Sequence, residues 1–162
     1  MENAKKVLLG VSAGVAVYKS CELVRCLRRK GCDVKVIMTP NAAELISPYL
    51  LETLSCNPVY VQMFKRQADY SVEHITLAQW ADVCVVAPCT LSTLSKIAHG
   101  ICDNLLTTAL MALEANTPII LAPAMNDNMW NNPLTKENVE KLRTRLNVTF
   151  IGPGTGELAC GR

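Results

Sequence analysis

The sequence is short of the residues that usually mark a metal site or a charged partner. It has two histidines, His74 and His99, and its eight cysteines include no CxxC pair, so the ligand spacing of a zinc centre is missing and no metal is expected. Sixteen basic residues against fourteen acidic ones leave a net charge of +2, too little for the broad field that draws nucleic acid or an anionic membrane surface. Aromatic residues make up 5% of the chain. No apolar run reaches the roughly 18 residues that a bilayer span needs.

Against these absences stands a chain of 162 residues, half of them hydrophobic, which is one domain's worth of material with a large core to bury. The cysteines at 21, 26, 32, 56, 84, 89, 102 and 160 sit partly inside apolar runs such as Val83-Cys84-Val85-Val86. Free thiols behave this way in a reducing compartment, so a cytoplasmic protein is expected. Lys5 and Lys6 followed by apolar residues 7–17 imitate a secretory leader, but the pattern runs on into an amphipathic helix and is read as part of the fold.

Short, continuously apolar runs alternate with helical periodicity. Strands are predicted over 6–11, 34–38, 81–87, 118–122 and 148–151, and helices over 91–99, 104–114 and 134–146. An earlier helix carries Ala16, Ser20, Leu23, Val24 and Leu27 on one face and stops at Gly31, and another opens at Pro40 and Asn41 and runs to about 47. The segment 48–71, with two prolines and half of the aromatics, has no clear period. Strands apolar throughout and separated by helices imply a doubly wound parallel α/β sheet, Rossmann-like or flavodoxin-like, in a three-layer sandwich. Ligands of such sheets sit beyond the C-terminal strand ends, so residues 12–14, Thr39, 88–93 and 123–128 are expected to converge.

Three of these loops carry chemistry. Gly10-Val11-Ser12-Ala13-Gly14 has a serine where GxGxxG would have its second glycine, which weakens a dinucleotide reading and leaves open either a mononucleotide phosphate or a plain tight turn. Pro88-Cys89-Thr90-Leu91-Ser92-Thr93 adds three hydroxyls where a strand passes into a helix, more than one cap requires. In Pro123-Ala124-Met125-Asn126-Asp127-Asn128-Met129-Trp130 the methionines and tryptophan read as core, whereas Asn126 is a neutral amide able to donate to a carboxylate. Taken alone, His74 reads as a surface or strand-edge histidine, and Cys160 stands apart from the other thiols in a glycine-rich tail.

Together these residues resemble the flavin-containing cysteine decarboxylases, and within them the branch that serves coenzyme A biosynthesis. The resemblance runs from Gly10-Val11-Ser12 to Ala159-Cys160-Gly161. It rests on Pro123-Ala124-Met125-Asn126 with Met129-Trp130, on His74-Ile75-x-Leu77, on Lys96-Ile97-Ala98-x-Gly100-Ile101-x-Asp103-Asn104-Leu105-Leu106, and on the late Ala-Cys-Gly. The loop departs from the family's usual Pro-Ala-Ser-Ala-Asn-Thr at Cys89, Leu91 and Ser92.

The resemblance implies one FMN-binding domain over 1–162, short of the family's C-terminal glycine-rich flap, in a homotrimer or a multiple of trimers with FMN at the subunit interface. It implies FMN held by Ser12, Gly14, Thr39, Cys89, Thr90, Ser92 and Thr93. The substrate, 4'-phosphopantothenoylcysteine, would meet Ala124, Met125 and Asn126, with His74 as base and Cys160 as the late proton donor. The implied chemistry is thiol oxidation, CO2 loss and re-reduction, giving 4'-phosphopantetheine. A peptidyl C-terminal cysteine decarboxylase, or a non-catalytic flavoprotein or regulatory subunit of the same fold, are the alternatives.

Overall fold

The computed structural model describes residues 4–64 and 72–154. Six strands, β1 (Lys6–Val11), β2 (Asp33–Met38), β3 (Val59–Tyr60), β4 (Val83–Cys89), β5 (Ile119–Pro123) and β6 (Val148–Phe150), form one parallel sheet in the order β3-β2-β1-β4-β5-β6. This is the doubly wound order, and the direction of winding switches between β1 and β4. Among the described residues eight α-helices connect the strands: α1 (Lys19–Arg29, entered through a 3-10 turn at Val15–Tyr18), α2 (Pro40–Leu45), α3 (Pro48–Ser55), α4 (Glu73–Trp80), α5 (Leu91–His99), α6 (Leu105–Met111), α7 (Asp127–Asn131) and α8 (Pro133–Arg145).

Alternate residues of each central strand face opposite layers, so both faces must be apolar. Val7, Leu9 and Val11 of β1 join Val34, Val36 and Met38 of β2 in one core, closed by Val24 of α1 and Leu51 of α3. Leu8, Ile37, Cys84 and Val86 face the other core, filled by Leu77 of α4, Leu94 and Ile97 of α5, Leu105 and Leu106 of α6, and Leu142 of α8. Burial pushes the Cys84 and Cys89 thiols up to about 12, so both stay neutral.

Several expectations are corrected in detail. Residues 48–71 contain α3 and the two-residue β3, which short length and the exposed Tyr49 and Leu50 had hidden from a periodicity reading. Residues 127–131 form α7 rather than a loop. Asn104 is the cap of α6, not part of it, and accepts from Thr107 N at 3.1 Å. Cys89 is the last residue of β4 because it pairs with Pro123 of β5.

Gly10 faces α6 in the middle of the sheet, where a Cβ would overlap the Leu106 side chain. The glycine is therefore required by close approach rather than by a turn. Replacing Gly10 with Ala should destabilise the fold by about 1–3 kcal/mol through forced movement of Leu106, read as a lower denaturant midpoint at unchanged slope.

Candidate functional site

The four strand-end loops converge, and a chain of short bonds links them. Thr39 N donates to Val11 O at 3.0 Å, Ser12 Oγ donates to Pro88 O at 2.8 Å and accepts from Thr90 N at 2.9 Å, and Ala124 N donates to Cys89 O at 3.0 Å. The loops after β2, β1, β4 and β5 thus form one rim across the switch point.

Ser12 is 1% exposed, and its hydroxyl is engaged on both sides by β4. It reaches Pro88 and Thr90 because β1 and β4 are neighbours with Gly10 opposite Val86. Gly14 is extended, with φ −159°, so no left-handed turn calls for it; a Cβ there would stand 3.3 Å from Thr90 Cγ2, so the glycine lets the first loop approach the second. Thr39 caps α2, accepting from Ala42 N at 3.3 Å. Thr90 Oγ1 donates to Thr93 Oγ1 at 3.4 Å; Thr93 is buried and Ser92 exposed. Cys89 lies beneath the rim as a buried neutral thiol.

Two helices start at this rim without a side-chain cap, the turn at Val15 and α5, whereas α2, α6, α7 and α8 are closed by Thr39, Asn104, Asn126 and Asn132. Open first-turn N–H groups of α5 lie beside the Thr90 and Ser92 hydroxyls, a donor set suited to one phosphate. Lys19 stands at a nearby cavity of about 240 Å³ between the start of α1 and the ends of β4 and β5, lined also by Ser20, Ala87, Pro88, Ala122 and Ala124. The sequence reading passed over Lys19 and Ser20. The signal was Ser20 itself, a polar residue at an apolar position of α1, whose hydroxyl donates to Ala87 O at 3.1 Å.

Asn126 opens α7. Its Oδ1 accepts from Asn128 N at 2.9 Å, and its backbone oxygen accepts from Trp130 N at 2.9 Å. The cap bond fixes the amide orientation and leaves the two Nδ2 hydrogens as the free donors. Met125 and Trp130 pack half-buried against the core as expected, whereas Met129, expected there too, is exposed on α7, and Lys136 Nζ lies 4.3 Å over the Trp130 ring. His74 is on the first turn of α4, not on a strand edge, and has no hydrogen-bond partner among the described residues. Cys160 lies outside the described residues. Among those described, no cluster of three metal-ligating side chains exists, and no helix is long and apolar enough to cross a membrane.

The strand order is that of nucleotide-binding α/β proteins, and the rim offers hydroxyls and open helix N–H groups in place of a diglycine loop. The chain belongs to the flavoprotein family, whose model matches residues 1–162. It is 45% identical over 161 residues to the coenzyme A biosynthesis bifunctional protein CoaBC of Bacillus subtilis, covering 99% of this chain and 39% of that protein. The chain thus spans well under half the length of that relative. It is 40% identical over 157 residues to a probable phosphopantothenoylcysteine decarboxylase of Streptococcus mutans, covering 97% of this chain and 87% of the relative. Among solved structures it resembles a PPC decarboxylase variant complexed with pantothenoylaminoethenethiol, with TM-score 0.85 and 35% identity over 98% of this chain and 87% of that one. It also resembles the FMN binding protein AtHal3, with TM-score 0.82 and 35% identity over 99% and 86% of the two chains.

Ser12→Ala would leave the Thr90 amide without its partner and the Pro88 carbonyl with the longer 3.3 Å bond from the backbone N–H at position 12. The expected loss is about 1–3 kcal/mol in denaturant unfolding, and an unchanged midpoint would show that the hydroxyl does not tie β1 to β4.

Proposed function

We propose that the protein binds FMN and decarboxylates 4'-phosphopantothenoylcysteine to 4'-phosphopantetheine. The observation that carries this reading is the Asn126 amide, fixed through its Oδ1 by the cap bond and with no Nδ2 partner among the described residues, in a loop bonded through Ala124 N to the hydroxyl-rich loop after β4. A carboxylate donor and a phosphate cradle thereby share one rim. The similarity to CoaBC and to a probable phosphopantothenoylcysteine decarboxylase supports the substrate.

The donor set fits FMN. The first turn of α5, with Thr90, Ser92 and Thr93, would hold its phosphate, while Gly14 and Thr39 bound the same rim and Ser12 and Cys89 shape it from beneath. Bound FMN supplies a reversible two-electron acceptor, the sink that direct loss of CO2 from a cysteine carboxylate lacks. Asn126 Nδ2 would hold the substrate carboxylate, with Ala124 and Met125 beside it. His74 would take the thiol proton, and Cys160, which lies outside the described residues, would return a proton to the product.

A homotrimer, or a multiple of trimers, is part of the proposal. His74 rides on α4, which packs on β1 and α6, while Asn126 follows β5. Two strand positions separate β1 from β5, about 10 Å, and the helix layer lies roughly another 10 Å from the sheet. One cysteine substrate is too short to meet both residues of a single chain, so a second copy would complete each site. Exposed Val15, Tyr18, Leu45 and Tyr49 offer apolar surface for that contact. The chemistry, the free thiols and the relatives' biosynthetic role suit the cytoplasm.

The purified protein should be yellow and release FMN on heating, identified by mass; a colourless chain that takes up NAD instead would sink the reading. Asn126→Asp keeps the α7 cap, since Asp caps as Asn does, but sets a second carboxylate against the substrate. At about 4 Å and an effective dielectric near 20 that repulsion is roughly 4 kcal/mol, about a thousandfold in affinity. Turnover should stop while FMN stays bound. His74→Asn should likewise keep FMN and abolish its bleaching by substrate. Cys160→Ser should still bleach it and release CO2 yet fail to deliver finished product. Normal turnover by either the Asn126 or the His74 variant would refute that residue's assignment.

A further inference from the structure

Helix α8 buries Thr135, Asn138, Val139 and Leu142, and two of these four are polar. Thr135 Oγ1 donates to Met129 O at 2.6 Å, tying α8 to α7. Asn138 Nδ2 donates to Ser95 Oγ at 3.2 Å, tying α8 to α5. Asn138 is 8% exposed, and a leucine, with the same number and branching of side-chain heavy atoms, would occupy the position without the desolvation penalty of an amide. The polar residue therefore has a purpose other than packing.

We propose that Asn138 is a positioning residue for the cofactor phosphate, acting through Ser95 to fix the rotation of α5 about its axis. The inference rests on the reading that FMN binds at the start of α5. Helix α5 is tied at its start by the bond from Thr90 N to Ser12 Oγ and at its exposed side by the Lys96–Asp103 pair, while its body rests on Leu94, Ile97 and Ala98, whose apolar contacts are non-directional; the Asn138–Ser95 bond is the one that sets an angle between α5 and the helix packed on it. Ser95 stands two residues beyond Thr93, about 200° around the helix, so Asn138 grips the flank away from the Thr93 side chain. A rotation of about 20° would move the first-turn N–H groups by roughly 0.8 Å at the Cα radius, beyond the tolerance of a preorganised site. The same face of α8 fixes α7, so the phosphate cradle and the Asn126 amide are both referenced to one helix.

The experiment follows FMN release from the holoprotein after dilution, by the rise in flavin fluorescence. Asn138→Leu and Ser95→Ala should each release FMN roughly two- to tenfold faster, the worth of one hydrogen bond. The double variant should release it no faster than the stronger single one, since both remove the same bond. Asn138→Leu should melt no lower than the wild type, separating positioning from loss of stability. Should Asn138→Leu not fold, Ser95→Ala, a substitution favourable to the helix, still decides the matter. Release rates equal to wild type, or effects that add in the double variant, would overturn the inference alone. A wild-type chain that carries no FMN would overturn the cofactor reading and this inference with it.

Discussion

The Ser12 hydroxyl is the contact on which the rim depends. At the switch point the chain leaves β1 toward α1 and leaves β4 toward α5, on opposite faces, and a long backbone bond from Ser12 N to Pro88 O at 3.3 Å leaves the two departing loops to be held together mainly by a side chain. Ser12 Oγ does so by giving its proton to Pro88 O and accepting from Thr90 N. A buried hydroxyl satisfied on both sides is more stable than an unpaired Thr90 N–H, so the geometry is strongly determined. Once it is set, α5 begins after Thr90 in a fixed place, and β5 joins through the bond from Ala124 N to Cys89 O.

The same residue explains why a sheet with the dinucleotide order lacks the dinucleotide loop. In the diglycine loop the second glycine lets the ligand's pyrophosphate approach the backbone. Here that position carries a side chain turned inward to β4, and the close approach, at Gly14, is made toward Thr90. Of the two uncapped starts at this rim, the turn at Val15 and α5, the first turn of α5 has the Thr90 and Ser92 hydroxyls beside its N–H groups, a donor set that suits one phosphate.

The fold was legible because the central strands are apolar on both faces, a pattern only a covered parallel sheet produces. Lys96 to Leu106 was legible as a family motif, and the structure shows most of it to be architecture: Ile97 and Ala98 are core, Gly100 ends α5 at φ +66°, and Asn104 caps α6. Lys96 bonds Asp103 at 2.7 Å and holds its carboxyl below the ordinary range. The short elements α3, β3 and α7 were not legible, because two to eight residues hold too few repeats of any period. His74 was misplaced for a related reason: α4 is one two-turn helix with weak amphipathicity, and Val72 before it offers no cap to mark its start. Asn138 escaped because a polar residue on a helix reads as solvent-facing unless its partner is known.

Under the proposed reaction, the scarcity of charge along the rim acquires a physical sense. Decarboxylation converts a carboxylate into neutral CO2, so whatever attracts that charge most strongly also holds the substrate back. A buried guanidinium would add a Coulomb attraction of several kcal/mol that fades as CO2 departs, raising the barrier by part of what it contributed to binding. A neutral amide fixes direction through its two Nδ2 hydrogens and gives up much less as the charge leaves. Its cap bond to Asn128 N holds that direction before any ligand arrives, so the orienting entropy is met by the fold rather than at the moment of reaction. The loop after β5 thus combines a backbone need, closing α7, with a chemical one, and a single asparagine meets both.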